Sequence, residues 1–90
     1  MELTDKELIC SSYQKACDEL NLKLQYKNTS DQLIVIRLFS ELSKLLGNDI
    51  ELMRDWMKTY NQRLMFVPEQ VINRKESLYQ VVSYLESVCH

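Results

Sequence analysis

Residues 32–46 read QLIVIRLFSELSKLL, and the spacing of their apolar side chains decides the fold class. Ile34, Leu38, Leu42 and Leu45 recur at steps of three and four, while Val35, Phe39 and Leu46 widen the stripe. That period belongs to an amphipathic α-helix. The β-branched run Ile34, Val35 and Ile36 would also suit a strand. The pattern nevertheless continues for over ten residues and stops at Gly47, which ends helices well because glycine enters left-handed backbone without a Cβ clash. Ser30 or Asp31 is expected as the N-cap. So wide an apolar face marks this as the central helix.

Upstream, Thr4 followed by Glu7 forms a capping box, in which each side chain can satisfy the other's free backbone N–H. A first helix is predicted over about 5–20, with Ile9, Tyr13, Ala16, Cys17 and Leu20 on its buried face. Residues 21–29, NLKLQYKNT, lose that period. Leu22, Leu24 and Tyr26 alternate there with polar residues, as in an extended linker or a lone strand that only a second copy could pair.

Downstream, Asn48 or Asp49 is expected to cap a third helix, along which Leu52, Met53, Trp56, Met57 and Tyr60 follow at helical spacing. Residues 61–67 read as a loop. Pro68 suits the first turn of a short helix, since its missing N–H would be unbonded there anyway. Asn73 with Glu76 suggests another capping box, opening a last helix that buries Leu78, Val81, Val82, Leu85, Val88 and Cys89. The expectation is therefore all-α: a small single-domain helical bundle of four longer helices plus one short helix. Residues 1–29 form the N-terminal helix and linker, and residues 30–90 the main helical part of the same compact unit. Leu38, Leu42, Trp56, Pro68, Leu78, Val82 and Leu85 are the expected core.

Composition narrows the function. With one Gly and one Pro in 90 residues, turn-rich β folds and phosphate-cradling glycine loops are both disfavoured. Eleven Lys and Arg against thirteen Asp and Glu, with a formal net charge of −2 and no basic run, provide no electrostatic footprint for nucleic acid. No apolar run approaches the roughly 20 residues of a membrane span, and no signal peptide is read at the N-terminus. Cys10, Cys17 and Cys89 lack CxxC spacing, so reduced thiols in a cytoplasmic protein are expected rather than a disulfide or metal site. Cys10 and Cys17, seven apart, would share a buried helical face. The acidic residues fall singly on polar faces, and the one histidine, His90, is the last residue. No set of nucleophile, base and oxyanion donors can be named, so neither catalysis nor a cofactor is expected.

The stretch 38–86, LFSELSKLLGNDIELMRDWMKTYNQRLMFVPEQVINRKESLYQVVSYLE, resembles the toxin-binding C-terminal domain of Xre/MbcA/ParS-type antitoxins. That family shows, in order, an apolar helix, a Gly followed by an acidic residue, a helix carrying a Trp, an Asn, a loop, a Pro opening a short apolar helix, and a Glu beginning the last helix. Gly47, Asp49, Trp56, Asn61, Pro68, Val71 with Ile72, Glu76 with Leu78, and Val81, Val82, Tyr84 and Leu85 fill those places. Two departures stand out. Met65 and Phe66 stand where the family usually has a Gly-Gly pair before the proline, and Ser77 stands where a Gly usually follows the Glu. Upstream, residues 6–22 look like the family's opening helix, but residues 23–29 leave no room for the helix-turn-helix that usually reads DNA.

The resemblance implies an antitoxin-like protein that binds and neutralises a cognate RES-type toxin, one acting on NAD, without itself binding DNA. It also implies a homodimer within a hetero-oligomer. The last helix and the loop before Pro68 would cover the toxin's active-site mouth, with Arg63, Met65, Phe66, Glu86 and His90 as the contact residues. The plainer reading of Met65 and Phe66 is that they cap the core. A reading of another class is a self-associating helical scaffold or orphan regulatory module, in which residues 22–26 pair between two copies.

Overall fold

The computed structural model describes residues 4–88. Its elements are α1 (Asp5–Glu19), α2 (Thr29–Leu46), α3 (Ile50–Lys58), α4 (Pro68–Val71) and α5 (Lys75–Val88). Four longer helices and one short one form an all-α domain around a single contiguous core. Among the described residues the only β pairing is an isolated bridge between Asn61 and Phe66.

The helix ends follow from local chemistry. Thr4 Oγ1 accepts from Glu7 N–H at 3.2 Å, holding the start of α1. At its other end, Asn21 takes a φ of 55°. Leu22 N–H then turns back to Cys17 C=O at 2.8 Å and Asn21 N–H to Asp18 C=O at 3.3 Å, the Schellman pattern with asparagine replacing the usual glycine. Arg54 Nε of α3 donates to Glu19 C=O at 2.6 Å, placing a cation at the negative end of the α1 dipole. Gly47 sits at φ 66°, ψ 33° and closes α2. Asp49 Oδ1 accepts from Leu52 N–H at 3.2 Å to open α3, and Pro68 occupies the first turn of α4.

Two caps differ from expectation. Asn28, rather than Ser30 or Asp31, opens α2, its Oδ1 accepting from Ser30 N–H at 2.7 Å. The helix therefore starts earlier, and Asp31 is drawn into its first turn. The first backbone bond of α5 runs from Leu78 N–H to Arg74 C=O at 3.0 Å, so Arg74 and not Asn73 stands at the cap position.

The core comprises Tyr13, Ala16, Cys17, Leu20 and Leu22 from the first segment, with Val35, Leu38, Leu42, Met53, Met57, Leu64, Ile72, Leu78, Val81, Val82 and Leu85 from the rest. Pro68 is also buried. Trp56 is only half-buried and packs on the core's edge. Because α2 is sandwiched between α1 and α5, its buried face is rotated from the expected stripe. Leu45 is exposed, and the polar Asp31, Gln32 and Glu41 are buried. These acids are therefore not on solvated faces. Asp31 lies 3.4 Å from Lys75 Nζ of α5, and Glu41 lies 3.2 Å from Lys44 Nζ. A second pair, Arg37 with Glu86 at 3.4 Å, follows Asp31–Lys75 in the same order along both helices, so α2 and α5 run parallel. Cys17 is buried, but Cys10 is exposed and does not share its environment. Cys89 lies outside the described residues.

The segment joining α1 to α2 is extended but is not a strand. It doubles back along α1 with Leu22, Leu24 and Tyr26 turned inward and Lys23, Gln25 and Lys27 turned outward. Tyr26 ties the elements together. Its N–H donates to Tyr13 Oη of α1 at 3.0 Å, its carbonyl accepts from Gln32 Nε2 of α2 at 2.8 Å, and its own Oη donates to Ile72 C=O, just past α4, at 2.6 Å. Burial, reinforced by the nearby Asp31 carboxylate, pushes the Tyr26 phenol up to about 12. Burial also raises the pKa of Tyr13.

Replacing Tyr26 by Phe leaves the fully buried Ile72 carbonyl without that donor, and urea unfolding is expected to show a loss of about 1–3 kcal/mol. The raised phenol pKa fixes the sign of the pH effect. The protonated form is the one favoured in the fold, so its contribution is complete below the ordinary value of 10.0 and is lost as pH rises toward about 12. Unfolding midpoints measured between pH 9 and 12 should fall over this range, and less steeply in Tyr26→Phe.

A locked loop that presents Met65

The chain leaves α3 at Thr59, whose Oγ1 donates back to Asp55 C=O at 2.6 Å. One residue, Asn61, organises the loop beyond it. Asn61 N–H donates to Phe66 C=O at 3.0 Å, and Asn61 C=O accepts from Met65 N–H at 2.6 Å. Asn61 Oδ1 accepts from Arg63 N–H at 2.9 Å and from Leu64 N–H at 3.0 Å. A side-chain oxygen that mimics a backbone acceptor is the usual means by which asparagine sets a tight turn. Leu64, only 6% exposed, pins the loop to the core, and Phe66, half-buried, packs against the core as well.

Met65 is left outside. Its backbone is left-handed, at φ 65°, and its side chain is 73% exposed. For a residue with a Cβ that conformation costs about 1–2 kcal/mol. Burial does not offset the cost here, as it would for a core methionine. The two residues standing where the resembling family has glycines thus divide: Phe66 caps the core, and Met65 projects into solvent from backbone suited to glycine.

Arg63 is exposed on the same loop. Tyr60, expected on the buried face of α3, is 55% exposed at the loop's entrance, and Leu52, expected beside it, is 49% exposed. The helix ends at Lys58, so Tyr60 lies beyond the periodic stripe. Its exposure could have been anticipated only by placing the end of α3 before it. Tyr60, Arg63 and Met65 are each exposed along this one segment. Tyr and Arg are the residue types that most often anchor protein interfaces, and methionine is enriched there as well. Glu86 does not bond to this loop; its partner is Arg37 of α2. His90 lies outside the described residues.

Burial raises the pKa of the Cys17 thiol, keeping it in its unreactive protonated form. Among the described residues no group of three or more His, Cys, Asp or Glu side chains is placed to hold a metal ion, and no helix is long and apolar enough to cross a membrane. No protein-family model matches the chain, and no curated protein matches it significantly.

Gly47, Asp49, Asn61 and Pro68, four of the residues that carry the antitoxin resemblance, each terminate or open a structural element here. They account for the shape of the chain from α2 to α4 without reference to a partner. Met65 does not. Met65→Gly is expected to leave thermal and urea stability unchanged or raise it by up to about 1 kcal/mol, because relief of the left-handed strain outweighs the flexibility added to the unfolded chain. Asn61→Ala should instead cost about 1–2 kcal/mol by the same measurement.

Proposed function

We propose that the protein is an antitoxin-like module that binds a RES-type toxin and neutralises it by steric cover, in the cytoplasm and without binding DNA. The observation that carries this reading is Met65, an apolar side chain held in solvent at a conformational cost by a loop whose other bonds are satisfied. A rigid loop loses little entropy on docking, so an exposed Met on a segment that also exposes Tyr60 and Arg63 suits a hot spot. In the resembling family the corresponding region faces the toxin. A methionine in place of glycine would extend that contact outward by a full side chain. Neutralisation through a homodimer within a larger complex belongs to the same proposal.

A second reading, a self-associating scaffold, draws support from an open depression of about 660 Å³ on the flank of α2 and α5, whose apolar walls are Leu33, Ile34, Ile36 and Tyr79. The strand-pairing route between copies loses part of its basis, because both backbone polar groups of Tyr26 already serve the protomer's own fold. Light scattering discriminates in part: a monomer at micromolar concentration removes the support for the scaffold, whereas a dimer fits both readings.

Co-expression with the product of the neighbouring gene, which under this proposal is a RES-type toxin, should restore growth and yield a co-purifying complex. Met65→Gly should weaken that complex by tenfold or more while the free protein stays as stable as before, a split that damage to the fold would not produce. Recovery of the protein alone, with no growth rescue, would refute the proposal.

A further inference from the structure

The extended segment 22–27 carries two edges of backbone polar groups. In an extended chain the N–H and C=O groups of alternate residues point to opposite sides. The even-numbered edge is used internally: Leu22 N–H bonds Cys17 C=O, and Tyr26 bonds Tyr13 and Gln32. Among the described residues, the N–H and C=O groups of Lys23, Gln25 and Lys27 on the odd-numbered edge have no protein partner, and their side chains are exposed. This free edge opens on a cleft of about 300 Å³ lined by Lys23, Gln25, Tyr26 and Asn73.

We infer that this edge accepts an extended acidic peptide as an added β-strand. Main-chain bonds to Lys23, Gln25 and Lys27 would provide the affinity, as in other strand-addition interfaces. Charge selects the occupant. The outward side chains of this segment are Lys23, Gln25 and Lys27, two of them cationic. The acids that face Tyr26 are Asp31 and Glu76, and Asp31 is already paired with Lys75. A second copy is disfavoured by the same residues. Antiparallel self-pairing centred on Gln25 places Lys23 of one copy opposite Lys27 of the other, and like charges directly opposite destabilise a strand pair. Lysines on a free edge thus guard against self-association, while a strand bearing carboxylates meets them with opposite charge. The site stands apart from the Met65 loop and does not depend on its role.

The test uses the full chain labelled for amide exchange and a blocked seven-residue peptide alternating glutamate and valine. Addition of the peptide should slow exchange at the Lys23, Gln25 and Lys27 amides by at least tenfold. The exposed double substitution Lys23→Glu with Lys27→Glu should weaken binding by about tenfold or more. Of the two versions of the peptide N-methylated at alternate residues, the one whose methyls face the protein edge should not bind the wild-type chain while the other still binds, and a peptide with lysine for glutamate should not bind. Binding without protection of those three amides, or equal binding by the N-methylated peptides, would overturn the inference. So would protection that grows with protein concentration alone, which would assign the edge to a second copy.

Discussion

The fold depends on how Tyr26 satisfies its polar groups. A buried backbone group without a partner costs as much as a lost hydrogen bond, and an extended segment crossing a helical core has no ladder to pair with. Here Tyr26 meets that constraint by bonding Tyr13 of α1, Gln32 of α2 and the Ile72 carbonyl at the end of α4. The segment between α1 and α2 therefore acts as a strap. It closes one end of the bundle, where α2 and α5 both begin, and Arg54 on the Glu19 carbonyl ties the far end of α1 to α3. A domain of 90 residues has a small core, so a few well-placed polar ties between helices carry unusual weight.

The same constraint shapes the surface. Asn61 directs its polar groups to the loop's own backbone, and Leu64 and Phe66 anchor that loop to the core. The loop is consequently stiff, and whatever projects from it is presented in a fixed direction. Strain retained at an exposed position is best explained by a use for the side chain, since a glycine would relieve it. The left-handed backbone of Met65, more than its hydrophobicity, is the observation on which the partner-binding proposal rests.

Helix identity and most helix ends were legible from residue types, because Thr4, Gly47, Asp49 and Pro68 act within a few residues of themselves. Facing was less legible. The stripe read from Ile34 to Leu45 assumed that α2 packs on one side, whereas α1 and α5 cover it on two and draw Asp31, Gln32 and Glu41 under cover. The role of Tyr26 was hidden for a related reason: its partners lie 13, 6 and 46 residues away, and no local pattern encodes such separations. At the candidate site, Met65 and Arg63 could be singled out by residue type and by departure from a glycine pair. Tyr60 could not, because its exposure follows from a helix that stops at Lys58 rather than from its spacing.

The central claim is that residues 22–27 are an integral strap rather than a linker. Native-state hydrogen exchange at the Tyr26 amide tests it most directly, since that N–H is bonded only to the Tyr13 hydroxyl. The account predicts that the amide opens only with global unfolding, at the same free energy as the core amides of Leu38 and Leu85. Exchange as fast as that of its outward neighbours Gln25 and Lys27 would contradict it.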